Sequence, residues 1–137
     1  AGSQNIIELH GNIMRTKCFE NGRLVQTWPD TAEVPPRCPH CGGMLRPDVV
    51  WFGESLPYEA LTTAVSSAQT CDIFLAIGTS ALVQPAASLP IEAIQAGAIT
   101  IEINPQNTPL TARVDYALPG TAGSILPALV AAAFPAS

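Results

Sequence analysis

Cys71-Asp72-Ile73-Phe74-Leu75-Ala76-Ile77-Gly78-Thr79-Ser80 is the stretch on which the fold turns. Residues 73–77 are an unbroken apolar run of strand length that stops at a glycine followed by two hydroxyl side chains. A short strand apolar on both faces belongs in a parallel sheet covered on both sides, not in a half-solvated antiparallel one. Before it, residues 57–69 read as a helix with Pro57 in the first turn. After it, residues 85–96 read as a helix closed by Gly97, with which Pro90 is compatible only in the first turn. Residues 98–103 repeat the β-branched apolar pattern and end at Asn104-Pro105. A weaker strand at residues 116–118 precedes Pro119-Gly120, and residues 124–134 form an alanine-rich last helix that Thr121 or Ser124 caps.

Strands and helices alternating in this way predict an α/β fold, the carboxyl-terminal half of a doubly wound, Rossmann-like parallel sheet. Ligands of such sheets lie beyond the carboxyl ends of the strands, where this chain places Gly78-Thr79-Ser80, Asn104-Pro105-Gln106 and Gly120-Thr121-Ala122. No Gly-x-Gly-x-x-Gly fingerprint follows any strand, so a dinucleotide's pyrophosphate loop is expected elsewhere.

The amino-terminal third differs. Residues 1–17 carry two alternating stretches, 5–9 and 13–17, on either side of His10-Gly11, read as short extended segments. Residues 18–47 are punctuated by Gly22, Pro29, Pro35, Pro36, Pro39, Gly42 and Gly43 and need a staple, because they bury little. Three parts are therefore expected: 1–17, an inserted module at 18–47, and the sheet at 48–137.

Across 137 residues, 47% are apolar and 12% charged, enough for one core and unlike a disordered chain. A net charge of −5 lacks the footprint of a nucleic-acid binder and is repelled by anionic lipid, so neither nucleic acid nor membrane is an expected partner. The longest apolar run, residues 125–134, contains Pro127 and falls short of the roughly 20 residues of a span. The first residues carry neither a basic nor an apolar leader segment and no initiator Met, which suggests a chain that begins inside something longer. One Cys-x-x-Cys pair among four cysteines reads as metal or redox chemistry in an intracellular protein, and the expected location is the cytoplasm.

Glu8-Leu9-His10-Gly11, Cys38-Pro39-His40-Cys41-Gly42-Gly43 and Arg46-Pro47-Asp48-Val49-Val50-Trp51-Phe52-Gly53-Glu54, in this order, resemble the sirtuin family of NAD-dependent protein deacylases, of bacterial type. The resemblance continues through residues 71–80, Val83-Gln84-Pro85-Ala86-Ala87 and Glu102-Ile103-Asn104, and covers essentially the whole chain. It corresponds to the carboxyl-terminal half of a sirtuin. The Gly-Ala-Gly loop, the helical part of the small domain and the Gln-Asn-Ile-Asp motif would precede Ala1, so the missing amino-terminal half is itself an expected partner.

The resemblance implies an enzyme of the transferase class that removes acetyl or longer acyl groups from lysines of a protein or peptide, giving nicotinamide and O-acyl-ADP-ribose. His10 would be the general base that activates the ribose hydroxyl after nicotinamide has left C1′, a task suited to imidazole, whose unperturbed pKa is ~6.5. On the residues alone, a histidine before glycine is more often a surface or core residue. Val50, Trp51, Phe52, Gly53 and Glu54 would pair in β-fashion with the substrate, with the two aromatics walling the acyl-lysine channel. Their plain alternative is a buried strand of the parallel sheet. Gly78, Thr79, Ser80, Asn104, Pro105, Gln106 and Ala122 would hold the adenosine end of NAD, the expected cofactor.

The cysteines depart from the family. Two Cys-x-x-Cys knuckles usually close a structural zinc site. Here Cys38 and Cys41 make one, but the other reads Cys18-Phe19-Glu20-Asn21, leaving Cys18, Cys38 and Cys41 as ligands without a fourth. Water or a stray side chain would complete a bound zinc; the alternative is a vestigial module. His40 is expected to point outward and Cys71 to be a buried thiol. Other readings of the whole remain: a non-catalytic α/β module that binds a protein, separable by calorimetry with NAD, or an NAD-dependent protein ADP-ribosyltransferase, separable by mass analysis of products.

Overall fold

Two antiparallel strands organise the first of two units, Ala1–Ala60 and Leu61–Ser137, in the computed structural model, which describes residues 2–135. Strands β1 (Gly11–Cys18) and β2 (Leu45–Val49) pair from Gly11 opposite Val49 to Cys18 opposite Leu45, with a register shift between Asn12 and Thr16. The extended segment expected at 13–17 is thus part of β1, whereas residues 5–9 form no strand. The chain turns there instead: Asn12 Nδ2 donates to Glu8 Oε1 at 2.7 Å, and Gly11 sits at φ +75°. A Cβ on Gly11 would lie 2.1 Å from the Asp48 carbonyl oxygen, so only glycine lets β1 begin against β2. Asp48 gathers Arg15 (2.9 Å) and Lys17 (3.3 Å) across the pair. The buried cluster of this unit is Cys18, Val25, Cys38 and Leu45.

Helix α1 (Tyr58–Thr70) starts one residue after Pro57 and leads into the second unit. There β3 (Ile73–Ile77), β4 (Ile99–Asn104) and β5 (Tyr116–Pro119) form a parallel sheet in sequence order, confirming the α/β reading. The single helix expected at 85–96 is instead a 3₁₀ turn, Ala86–Ser88, followed by α2 (Leu89–Ala96). Pro90 has no N–H to give and so fixes the first turn of α2 beside it. Gly97 closes α2, and α3 (Ala122–Ala133) follows Thr121, whose backbone is extended.

Small side chains allow α1, α2 and the start of β4 to meet: Ala68, Ala93 and Ala98 are buried together, with Cys71, Phe74 and Leu89 against them. Asp115 Oδ2 accepts both the N–H and the hydroxyl of Thr100 at 2.8 Å, which clasps β4 to the residue before β5 and keeps that carboxyl below its ordinary pKa. The cover expected on both faces is incomplete. Alternate residues of β3, Ile73, Leu75 and Ile77, stay 53%, 38% and 39% exposed, because the helices of the described residues bury only the Phe74–Ala76 side. Among the described residues no helix is long and apolar enough to cross a membrane.

Candidate functional site

The two cysteine loops are built alike. Cys18 N–H donates to the Arg23 carbonyl and Gly22 N–H to the Cys18 carbonyl, both at 2.9 Å. In the second loop Cys38 N–H donates to Gly43 at 2.7 Å and Gly42 N–H to Cys38 at 2.9 Å. Gly22 and Gly42 adopt φ +70° and +74°. The sulfurs of Cys18, Cys38 and Cys41 all lie within 4.8 Å of one another, with Cys18 and Cys41 at 3.5 Å. Zinc–thiolate bonds of ~2.3 Å in a tetrahedron put sulfurs about 3.8 Å apart, so the trio fits one such ion. The backbone N–H of His40, aided by that of Cys41, holds the Cys38 thiol below its ordinary pKa. His40 is exposed, and the half-buried Cys71 thiol donates to the Ala68 carbonyl at 3.3 Å.

His10 is joined to the expected substrate segment in the same unit: Val50 N–H donates to the His10 carbonyl at 3.0 Å. The ring is exposed and makes no hydrogen bond among the described residues. Residues 50–54 lie beyond the end of β2 and belong to no strand, and Trp51 and Phe52 are 47% and 97% exposed. The buried-strand alternative is therefore wrong; Glu54 bends the segment back instead. Glu54 N–H donates to the Trp51 carbonyl at 3.0 Å, and Glu54 Oε2 accepts the Trp51 N–H at 2.9 Å.

Behind the bend sits Arg46, a residue to which the sequence reading attached no role. It is 8% exposed, forms a two-pronged ion pair with Glu54, and donates from Nη2 to the Val49 carbonyl at 2.8 Å. Its guanidinium carbon lies 3.4 Å from the Trp51 ring centroid and 5.9 Å from that of Phe19, beside Cys18. The Arg46 hydrogen bonds, then the Trp51 N–H, pull the Glu54 pKa to about 2. A carboxyl lowered on folding stabilises fully above its unfolded value, ~4.3, and loses that contribution as pH falls toward its folded value. Wild type should therefore lose more stability between about pH 4.5 and pH 2 than Glu54→Gln, read as the difference in urea midpoints. Glu8 and Asp115, also lowered, act equally in both proteins and cancel.

In the second unit the strand ends converge on Asn104. Its Nδ2 donates to the Thr79 carbonyl at 2.8 Å, its Oδ1 accepts the Gln106 N–H at 3.1 Å, and its carbonyl accepts the Gly120 N–H at 3.2 Å. One residue thus ties the ends of β3, β4 and β5, its amide reaching Thr79 and Gln106 and its backbone carbonyl Gly120, which leaves one N–H and one lone pair of the amide for a ligand. Gly78, Thr79, Ser80, Pro105 and Gln106 are exposed around it, and Ala122 opens α3. Below lies Glu102, 2% exposed, whose carboxylate accepts the hydroxyls of Thr108 and Thr111. Leu110 N–H returns to Thr108 Oγ1 at 3.0 Å, so Glu102 pins the loop that begins at Pro105.

Residues 1–85 match the Sir2 family over their whole length. The chain belongs to the Sir2 family. Sir2 relatives include NAD-dependent protein deacylase 1 of Caldanaerobacter subterraneus subsp. tengcongensis, 51% identical over 81% of this chain and 46% of the relative. The NAD-dependent protein deacylase of Pyrococcus furiosus is 48% identical over 95% of this chain and 54% of the relative. Among solved structures, a Sir2 homologue–NAD complex superposes with a TM-score of 0.87 at 44% identity, over 94% of this chain and 51% of that one. A triple-mutant homologue with 2′-O-acetyl ADP ribose gives 0.85 at 44% identity, over 94% and 52%. A Sir2–p53 peptide–NAD+ complex gives 0.87 at 27% identity, over 96% and 57%. The chain spans about half the length of these Sir2 relatives.

Proposed function

We propose that this chain is the carboxyl-terminal part of an NAD-dependent protein-lysine deacylase of the cytoplasm. The observation that carries the reading is the Val50 N–H to His10 carbonyl bond, which ties a solvent-facing imidazole to an open backbone segment. His10 is the general base toward the ribose hydroxyl. Val50, Trp51, Phe52, Gly53 and Glu54 receive the acyl-lysine peptide, with the exposed aromatic faces against the acyl-lysine stem. Bound NAD would supply a ribose carbon for the acyl oxygen with nicotinamide as the leaving group, and acyl-lysine, NAD and one water would together give free lysine, nicotinamide and O-acyl-ADP-ribose. Gly78, Thr79, Ser80, Asn104, Pro105, Gln106 and Ala122 hold its adenosine end; exposed hydroxyls and the remaining amide valences of Asn104 suit ribose oxygens. Cys18, Cys38 and Cys41 hold zinc, which would staple the 18–47 module.

The exposed row Ile73, Leu75 and Ile77 supports a doubly wound sheet whose second cover comes from the half that the relatives possess and this chain does not match. A β3 edge that is apolar and unpaired among the described residues also favours association of the 137 residues by themselves. The test is nicotinamide release from NAD with an acetyl-lysine peptide, by the 137 residues alone and by the same residues joined to a counterpart of the unmatched half. Turnover is expected only from the second, with O-acyl-ADP-ribose as product. Turnover by the 137 residues alone would remove the split-site reading, and ADP-ribosylated protein as the product would make the enzyme an ADP-ribosyltransferase.

A further inference from the structure

The likeness of the two cysteine loops makes Asn21 the counterpart of Cys41, each third after its leading cysteine in the same hydrogen-bonded frame. Asn21 does not, however, present a ligand atom to the sulfurs. Its Oδ1 accepts the Arg23 N–H at 3.0 Å, and its Nδ2 lies 3.6 Å from Cys41 Sγ, within the longer reach of a sulfur acceptor. A backbone N–H can only donate, so Arg23 decides which end of the amide is oxygen and turns the NH₂ group toward the thiol. Asn21 therefore donates a hydrogen bond to a ligand instead of becoming one.

We propose that Cys18, Cys38 and Cys41 form an open metal centre: three thiolates hold a zinc-class divalent cation, and the fourth position takes a small exogenous ligand such as water, imidazole or a thiol. Closed sites are structural, whereas a free position is what a ligand-exchanging site requires. Cys18 and Cys38 are buried, but Cys41 and Asn21 are exposed, so the unfilled corner of the loop pair lies on the solvent side. Three thiolates also leave the centre one negative charge lighter than four, which favours a neutral or anionic fourth donor from solution. The inference rests on the metal assignment made above and is independent of the deacylase assignment.

Cobalt(II) is the probe, bound to the 137-residue protein under anaerobic conditions and followed by its thiolate charge-transfer and d–d bands. Wild type should take one equivalent, and its d–d bands should shift saturably when imidazole or 2-mercaptoethanol is added. Asn21→Cys should show bands that do not respond, and its zinc form should release metal to a chelator at least ~10-fold more slowly, since even groups around a ligand set alter affinity 10–100-fold. Asn21→Ala, which needs no new ligand to fold, should keep the wild-type d–d bands and their ligand-dependent shift, its charge-transfer bands moving only by what the lost hydrogen bond to Cys41 Sγ contributes. Cobalt bands in wild type that ignore added ligand would overturn the open position and leave the metal assignment standing. A starting spectrum altered in Asn21→Ala by loss of a donor would make Asn21 the fourth ligand and overturn it as well. Failure of wild type to take up one equivalent would overturn both.

Discussion

His10→Ala, introduced into the completed, active enzyme, should lower O-acyl-ADP-ribose formation by about 10²–10⁴-fold, the contribution usual for a positioned general base. The same change should leave the thermal midpoint almost untouched. The ring is exposed, it makes no hydrogen bond among the described residues, and the Val50 N–H is satisfied by the His10 backbone, which alanine retains. Rate and stability thus separate a chemical role from a structural one. Undiminished product formation by His10→Ala would take the base away from this position.

Glu102→Ala should be the most destabilising single change in the second unit, costing about 3–5 kcal/mol in urea denaturation followed by far-UV circular dichroism. Two half-buried hydroxyls, those of Thr108 and Thr111, would lose their acceptor at once, and truncation of the buried Glu102 side chain would leave a void beneath the strand ends. Against a total stability typically of ~5–15 kcal/mol this is a large fraction. Glu102→Gln keeps one acceptor oxygen and similar volume and should cost clearly less. If alanine and glutamine prove equally mild, the carboxylate does not hold the loop.

The strands of the second unit were legible because each apolar run ends on a residue that stops it: Gly78 after β3, Asn104-Pro105 at the end of β4, Pro119-Gly120 at the end of β5. The candidate site residues were placed at those ends with them, since a parallel sheet offers its ligands that edge. Glu102 and Arg46 were not legible. Each is a buried charge in a strand whose ionic or hydroxyl partners sit in a loop six to nine positions on, beyond anything periodicity reports. The run Val50-Trp51-Phe52 misled toward a buried strand for the same reason: Glu54, reaching back to Arg46, bends it out of the ladder. The equivalence of the cysteine loops did leave a trace, a glycine four places after Cys18 and again after Cys38. Its meaning emerges only when the matching backbone hydrogen bonds are seen.

The contact between Gly11 and the Asp48 carbonyl also constrains how the gene can drift. Glycine codons vary silently only at the third base. Any amino-acid replacement reached through the first or second base carries a Cβ, and every such Cβ meets the same carbonyl oxygen in the same strained backbone. Conservative and radical missense alleles should therefore be purged alike at this codon, whereas the neighbouring His10 codon, if it encodes the proposed base, would be filtered only through that role. Selection on the first is for folding and, under the proposed role, on the second for chemistry, although the two codons are adjacent.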